Sequence, residues 1–238
     1  MSHQFKYKHI SPTILELYWP ASIEESTLME MMSMKTQIQH IWQEALLETT
    51  MGYHCLSLRF ASPIALDEVL NKLERIAEKN GSSSSNFSRK QWTIPVQYTG
   101  KDLERVAKHT GLAQDELIAL HQAPSYLLYF YGFMPGFMYL GGLDQQLFVP
   151  RKEQPDPMIE KGSVAIGGKQ TGIYPMNSPG GWNVIGKTPV QLFDVNMDPP
   201  LKPQPGDKIK FEAISAENYQ DIISQMEEKN YQLPYEKI

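Results

Sequence analysis

Between Tyr131 and Asp194 glycine and proline interrupt the chain so often that no long helix can form there. The run opens Gly132-Phe133-Met134-Pro135-Gly136-Phe137-Met138-Tyr139-Leu140-Gly141-Gly142-Leu143-Asp144 and passes through Pro150-Arg151. It continues Gly162-Ser163-Val164-Ala165-Ile166-Gly167-Gly168-Lys169-Gln170-Thr171-Gly172-Ile173-Tyr174-Pro175 and closes with Ser178-Pro179-Gly180-Gly181-Trp182 and Ile185-Gly186-Lys187-Thr188-Pro189. Glycine adds backbone entropy that a helix must remove, and proline lacks the amide donor that a helix interior needs. The short apolar runs between them predict β-strands joined by shaped loops.

The flanking segments read differently. Thr13 to Trp19 alternates like a strand, and Ile23 to Leu47 recurs at three and four residues like a helix, with Ser22 and Glu25 spaced as a capping box. Met29 to Met34 within it either fill an irregular core or form a soft partner-binding face. Tyr53 to Phe60 predicts a second strand and Leu66 to Lys79 a second amphipathic helix. Asn80 to Asn86, rich in serine, breaks every period and predicts a domain junction within Asn80 to Lys90. The expected organisation is therefore α+β, with a small N-terminal α/β domain over 1–88 and a β-rich domain over 89–238. In the latter, strands are expected at Gln91 to Tyr98, Tyr126 to Tyr131, Leu147 to Val149, Ser163 to Ile166, Asn183 to Ile185, Val190 to Val195 and Lys208 to Ile214. Helices are expected at Asp102 to Lys108, Ala113 to Gln122 and Ser215 to Asn230. Many short strands at close spacing point to a barrel or a sandwich.

A formal charge of -5 argues against nucleic acid or an acidic membrane as partner, because both reward clustered Lys and Arg. Cys55 is the only cysteine, so no internal disulfide forms; it reads as a core residue of a protein from a reducing compartment. No zinc-type spacing, phosphate-binding P-loop or Gly-x-Ser-x-Gly elbow is present, so no metal is predicted and no self-contained hydrolase is visible. The N-terminus lacks an apolar signal core, and no stretch reaches the roughly 20 apolar residues of a membrane span. The expected location is cytoplasmic.

The aromatic GF-x-PGF-x-YL-x-GL segment, the PR, the GSV-x-I-x-G-x-QTGIYP segment and the PGGW-x-x-IG-x-TP segment occur here in order, and in this they resemble one family. It is the carboxyltransferase subdomain found in allophanate hydrolase subunit 1, KipI-type kinase inhibitors and the B subunit of 5-oxoprolinase. Ile94 to Tyr98, Asp102 to Ala107, Leu120-His121 and Pro205-Gly206-Asp207 are also similar to it. The resemblance implies a cyclophilin-like β-barrel for the second domain. It implies a B subunit that acts with a paired C subunit and an A subunit to open 5-oxoproline to glutamate, with ATP as co-substrate of the assembled complex. The alternatives it carries are amide hydrolysis in urea breakdown, and a KipI-like inhibitor that docks on a sensor histidine kinase.

Candidate site residues follow from the residues and the resemblance together. His121 matches a family histidine and has either a proton-transfer role or a helix C-terminal one. Arg151 matches the PR arginine and is suited to clamping a carboxylate or phosphate, or to a salt bridge. Gly162, Ser163, Gly167 and Gly168 form either an anion cradle of converging N–H groups or tight turns without a ligand. Gln170, Thr171 and Tyr174 give a polar cluster, and Phe133, Phe137, Tyr139 and Trp182 an apolar wall. Pro135, Gly136, Gly180 and Gly181 shape the loops that carry them. One departure stands out: Asp156 and Glu160 occupy positions where the family carries arginine and proline, which would weaken a positive site.

Overall fold

The computed structural model describes residues 5–21, 23–80, 88–197, 200 and 202–238. It divides into two compact units, Met1–Phe87 and Ser88–Ile238. Most of the serine-rich break lies outside the described residues.

The first unit is a four-stranded antiparallel sheet with two helices. In chain order it comprises β1 (Lys6–Ser11), β2 (Ile14–Tyr18), α1 (Glu25–Ile41), β3 (Leu46–Met51), β4 (Cys55–Phe60) and α2 (Leu66–Asn80), with sheet order β1-β2-β4-β3. Leu15 and Leu17 of β2 and Leu56 and Leu58 of β4 point to one face and are fully buried, with Leu28, Met31, Met34 and Ile38 of α1 and Leu73 of α2. Alternation with period two supplies one half of this core and helical spacing the other. Met31 and Met34 are therefore core. Helix α1 ends six residues before the expected Leu47, because the turn after Ile41 leads into β3, whose exposed Glu48 and Thr50 mask its strand character. Its N-cap is Glu24, without a side-chain cap bond, and Ser22 lies outside the described residues.

The second unit contains β5 (Lys90–Val96), α3 (Leu103–Thr110), α4 (Gln114–Gln122), β6 (Tyr126–Tyr131), β7 (Met138–Gly141), β8 (Asp156–Ile159) and β9 (Ser163–Gly167). It continues with β10 (Gln170–Ile173), β11 (Ser178–Gly180), β12 (Asn183–Lys187), β13 (Lys208–Ala213), α5 (Ala216–Glu227) and β14 (Tyr235–Lys237). Eight strands form one sheet, β12-β9-β10-β7-β6-β13-β5-β14, in which only β5 and β13 run parallel; β8 and β11 pair apart. Its main core joins Trp92, Ile94 and Val96 with Val106, Leu117, Leu128, Met138, Leu140, Val164, Ile166, Ile185 and Phe211. A smaller cluster of Phe137, Ile159, Ala165, Tyr174, Trp182 and Val184 lies on the other side of the β9–β12 strands, as their alternation requires.

The ladders do not give the closed barrel that the resemblance implies. The sheet curls until β12 meets the segment after β5, but contact there is one bridge, Gln97 with Lys187, followed by bonds from Gly100 N to Ile185 O and Asp102 N to Val184 O. Gly100 and the turn it makes end regular pairing. The architecture is mixed α and β with several sheets. Two expected strands are absent: Gln145–Leu147 is a short 3-10 turn with a lone Val149–Gly168 bridge, and Val190 to Val195 is irregular. Donors at both ends are engaged outside any ladder, Val190 N on Thr188 Oγ1 and Asp194 N on Pro200 O. Among the described residues no helix is long and apolar enough to cross a membrane.

Candidate functional site

The hairpin loop between β6 and β7 is closed by its own bonds, Met134 N to Gly132 O and Gly132 N to Phe137 O. It holds Phe133 at a φ of 65°, a left-handed conformation that disfavours any side chain, and leaves its ring 67% exposed. Phe133 forms one wall of a cavity of about 530 Å³, whose other walls are Phe137, Tyr139, Tyr174 and Trp182, with Arg151, Lys152 and the Pro179-Gly180-Gly181 loop at the rim. Phe137 meets Phe133, Trp182 and Tyr174 edge to face, at 88°, 82° and 81°. Such pairs suit the quadrupoles of the rings and fix a rigid apolar corner.

Two glycines make that corner possible. A Cβ on Gly167 would lie 2.6 Å from the Trp182 indole, and one on Gly180 would lie 2.4 Å from the Tyr174 hydroxyl. Gly167 and Gly180 are therefore seats for rings. Gly162, Ser163 and Gly168 form no anion cradle: Gly162 N donates to Tyr174 O, Ser163 N to Glu160 O and Gly168 N to Val149 O, so these donors are spent.

Arg151 is set by its neighbours. Val149 exchanges bonds with Gly168, Asn183 Nδ2 donates to Pro150 O at 3.1 Å, and Lys152 N donates to Gly181 O at 2.7 Å. The Arg151 side chain is exposed, with its guanidinium 5.6 Å from the Trp182 ring centroid, where the ring's face attracts a cation. Burial pushes the Tyr174 hydroxyl up, partly offset by a bond to the Trp182 backbone and the Arg151 charge.

Beside the cavity lies a run of alternating charges. Lys152 Nζ donates to Asp102 Oδ2 at 2.7 Å and to Asp156 Oδ2 at 2.6 Å, and Lys101 approaches Asp156 at 2.9 Å. Asp102 also accepts from Val184 N at 2.8 Å. Burial alone would raise the Asp156 carboxyl, but the bonds and charges of Lys152 and Lys101 hold it below the ordinary carboxylate range. Asp156 thus brings its own countercharges, and Glu160 is paired with Lys187.

His121 is not part of this cavity. It is fully buried, stacked on Phe211 at 4.7 Å, with Nδ1 2.7 Å from Tyr98 Oη and Nε2 2.9 Å from Thr171 Oγ1. Thr171 donates its only hydroxyl proton to Ala165 O, so Nε2 carries the hydrogen and Nδ1 accepts from Tyr98. Burial lowers the imidazole to about 3. A neutral ring with both nitrogens engaged ties α4 to β10.

The structure therefore gathers Phe133, Tyr139, Arg151, Tyr174, Gly180, Gly181 and Trp182 at one cavity. His121 and Thr171 lie in the core, Gly162 and Ser163 face other surface depressions, and Pro135, Gly136, Gly168 and Gln170 do not line it. Lys152 and Asn183, which no local motif marks, are the additions, with Asp102, which the sequence marks only as the start of a family-like stretch. Among the described residues no cluster of three or more His, Cys, Asp or Glu side chains could hold a metal ion.

A curated relative, the B subunit of 5-oxoprolinase from Bacillus subtilis, is 44% identical over 149 residues, covering 61% of this chain and 61% of its own length. The chain thus spans about three fifths of that relative. The corresponding B subunit of 5-oxoprolinase from Haemophilus influenzae is 36% identical over 204 residues, covering 84% of this chain and 93% of its own. The crystal structure of the K. lactis urea amidolyase shares the fold, with a TM-score of 0.79 at 14% identity, over 100% of this chain and 16% of that one. The profile described as carboxyltransferase domain, subdomain C and D, matches residues 5–202. On that match and the relatives' identity, the chain belongs to the family of carboxyltransferase-domain proteins of subdomain C and D.

Proposed function

We propose that this chain is the B subunit of an ATP-dependent 5-oxoprolinase, acting with a C-type subunit and an A subunit to open the ring amide of 5-oxoproline to glutamate. Water adds across the C–N bond, and ATP hydrolysis drives the reaction. The observation that carries the reading is a cavity suited to a small ligand that has no histidine or carboxylate on its walls, because the one family-matching histidine is locked in the core. A subunit with half a site needs a partner to complete it. The relatives, each named as the B subunit of 5-oxoprolinase, support the same substrate.

Two further readings go with it. A cyclophilin-like barrel for the second unit is supported by the Gln97–Lys187 bridge, which brings the sheet's ends together. A cytoplasmic location is supported by the lone Cys55.

The test is co-expression of the chain with C-type and A subunits, purification through a tag on this chain, and assay of ATP-dependent glutamate release from 5-oxoproline. The three together should turn over and this chain alone should not. Separate elution of the chains, or a stable complex that leaves 5-oxoproline intact, rejects the proposal. Allophanate turnover by that complex, or block of a sensor kinase's autophosphorylation by this chain alone, would move it to one of the alternatives.

A further inference from the structure

We propose that the cavity between Phe133 and Trp182 is a receptor for a flat monocarboxylate and rejects nucleotide polyphosphate, so that ATP is held elsewhere in the assembly. This rests on the 5-oxoprolinase reading only for the identity of the natural ligand.

Three cations stand in or beside the cavity, Arg151, Lys152 and Lys101. Lys152 is shared by Asp102 and Asp156, and Lys101 also binds Asp156, so these two lysines and two carboxylates sum to zero. Arg151 remains, with no carboxylate partner among the described residues and its guanidinium near the indole face. A planar fork with unspent donors matches one carboxylate through two parallel bonds. One net positive charge is balanced by one negative charge, whereas a triphosphate brings several and leaves the excess unpaired beside aromatic walls.

The shape of the cavity points the same way. What the walls offer is ring faces and edges at near right angles, which grip a flat ring. Asp156 sets the selectivity. It neutralises the lysines that would otherwise make this a polyanion site.

Isothermal titration of the full chain with 2-furoate, 5-oxoproline, succinate and magnesium-free ATP tests the proposal. 2-Furoate and 5-oxoproline should bind with one-to-one stoichiometry and compete, and succinate and ATP should bind at least about tenfold more weakly. Arg151→Lys keeps the charge but loses the fork and should weaken 2-furoate about tenfold. Asp156→Asn leaves one lysine charge uncompensated and should raise succinate affinity severalfold relative to 2-furoate, a change of preference that general damage to the fold would not produce. Equal competition by ATP or succinate in the wild-type chain, unaltered 2-furoate binding in Arg151→Lys, or no binding of either monocarboxylate overturns the inference. Binding of 2-furoate without 5-oxoproline upholds this site and counts against the 5-oxoprolinase reading. Turnover by an assembled complex in which this chain binds neither acid does the reverse.

Discussion

The indole of Trp182 lies over Gly167 so closely that a single methyl group there would sit 2.6 Å from the ring. Trp182 forms the cavity floor and faces Arg151, so a backbone position in β9 controls a surface site. Gly167→Ala should displace the ring, cost about 1–3 kcal/mol through overpacking, and abolish monocarboxylate binding. Denaturant titration and calorimetry would read the two effects. Full affinity in a stable Gly167→Ala protein would exclude Trp182 from the site.

His121 belongs to a chain of bonds from Tyr98 through its ring to Thr171 and Ala165. His121→Ala should therefore cost on the order of 3 kcal/mol, leaving a cavity and two hydroxyls without their partner. Turnover per correctly assembled complex should stay near that of the wild type. A collapse of turnover with stability intact would return His121 to the catalytic machinery.

The same residue makes the fold acid-sensitive. Its imidazole is held down to about 3 by burial, against 6.5 for the free group, so below pH 6.5 the unfolded chain binds a proton that the folded chain refuses. Stability from this group is complete above pH 6.5 and falls as pH drops, by about 1.4 kcal/mol per unit, until protonation of the folded state near pH 3. Urea unfolding between pH 7 and 4 should show this slope, added to that of the carboxylates. His121→Gln, which cannot titrate, should flatten it by about that amount.

Phe133 carries strain for the sake of the cavity wall. Phe133→Gly relieves a left-handed backbone and should raise stability by about 1 kcal/mol while weakening 2-furoate binding. A melting curve and a titration on one preparation check both signs. If the melting temperature falls, the exposed ring is holding the loop in place.

Much of this architecture was legible because burial leaves a pattern. The strands around Leu15, Leu17, Leu56 and Leu58 alternate, α2 has one apolar face, and the glycine and proline run does form strands and loops. Edge structure escaped, since β1 and β14 expose nearly every side chain and β8 begins Asp156-Pro157, and so did the buried strands β7 and β10, each four residues long and containing a glycine, too short to show a period. At the site, Arg151 with its aromatic walls could be read locally, since glycine, proline and ring residues crowd together only there. The fate of His121 could not, because its partners lie 23 residues before and 50 after it. The Asp102–Lys152–Asp156 charges were hidden likewise: Asp156 alone looked like a lost arginine, and only the fold supplies Lys101 and Lys152.

The parallel pairing of β5 with β13 also has a consequence in time. Every ladder partner of Lys90–Val96 lies in β13 or β14, and Lys90 N is anchored by Asp207, 117 residues later in the chain. On a translating ribosome that separation is a delay on the order of ten seconds, during which an apolar strand with both edges open has nothing of its own to bind. For this protein, the hazard of misassembly is concentrated before β13 and β14 emerge, and translation speed through β6–β12 sets how long it lasts.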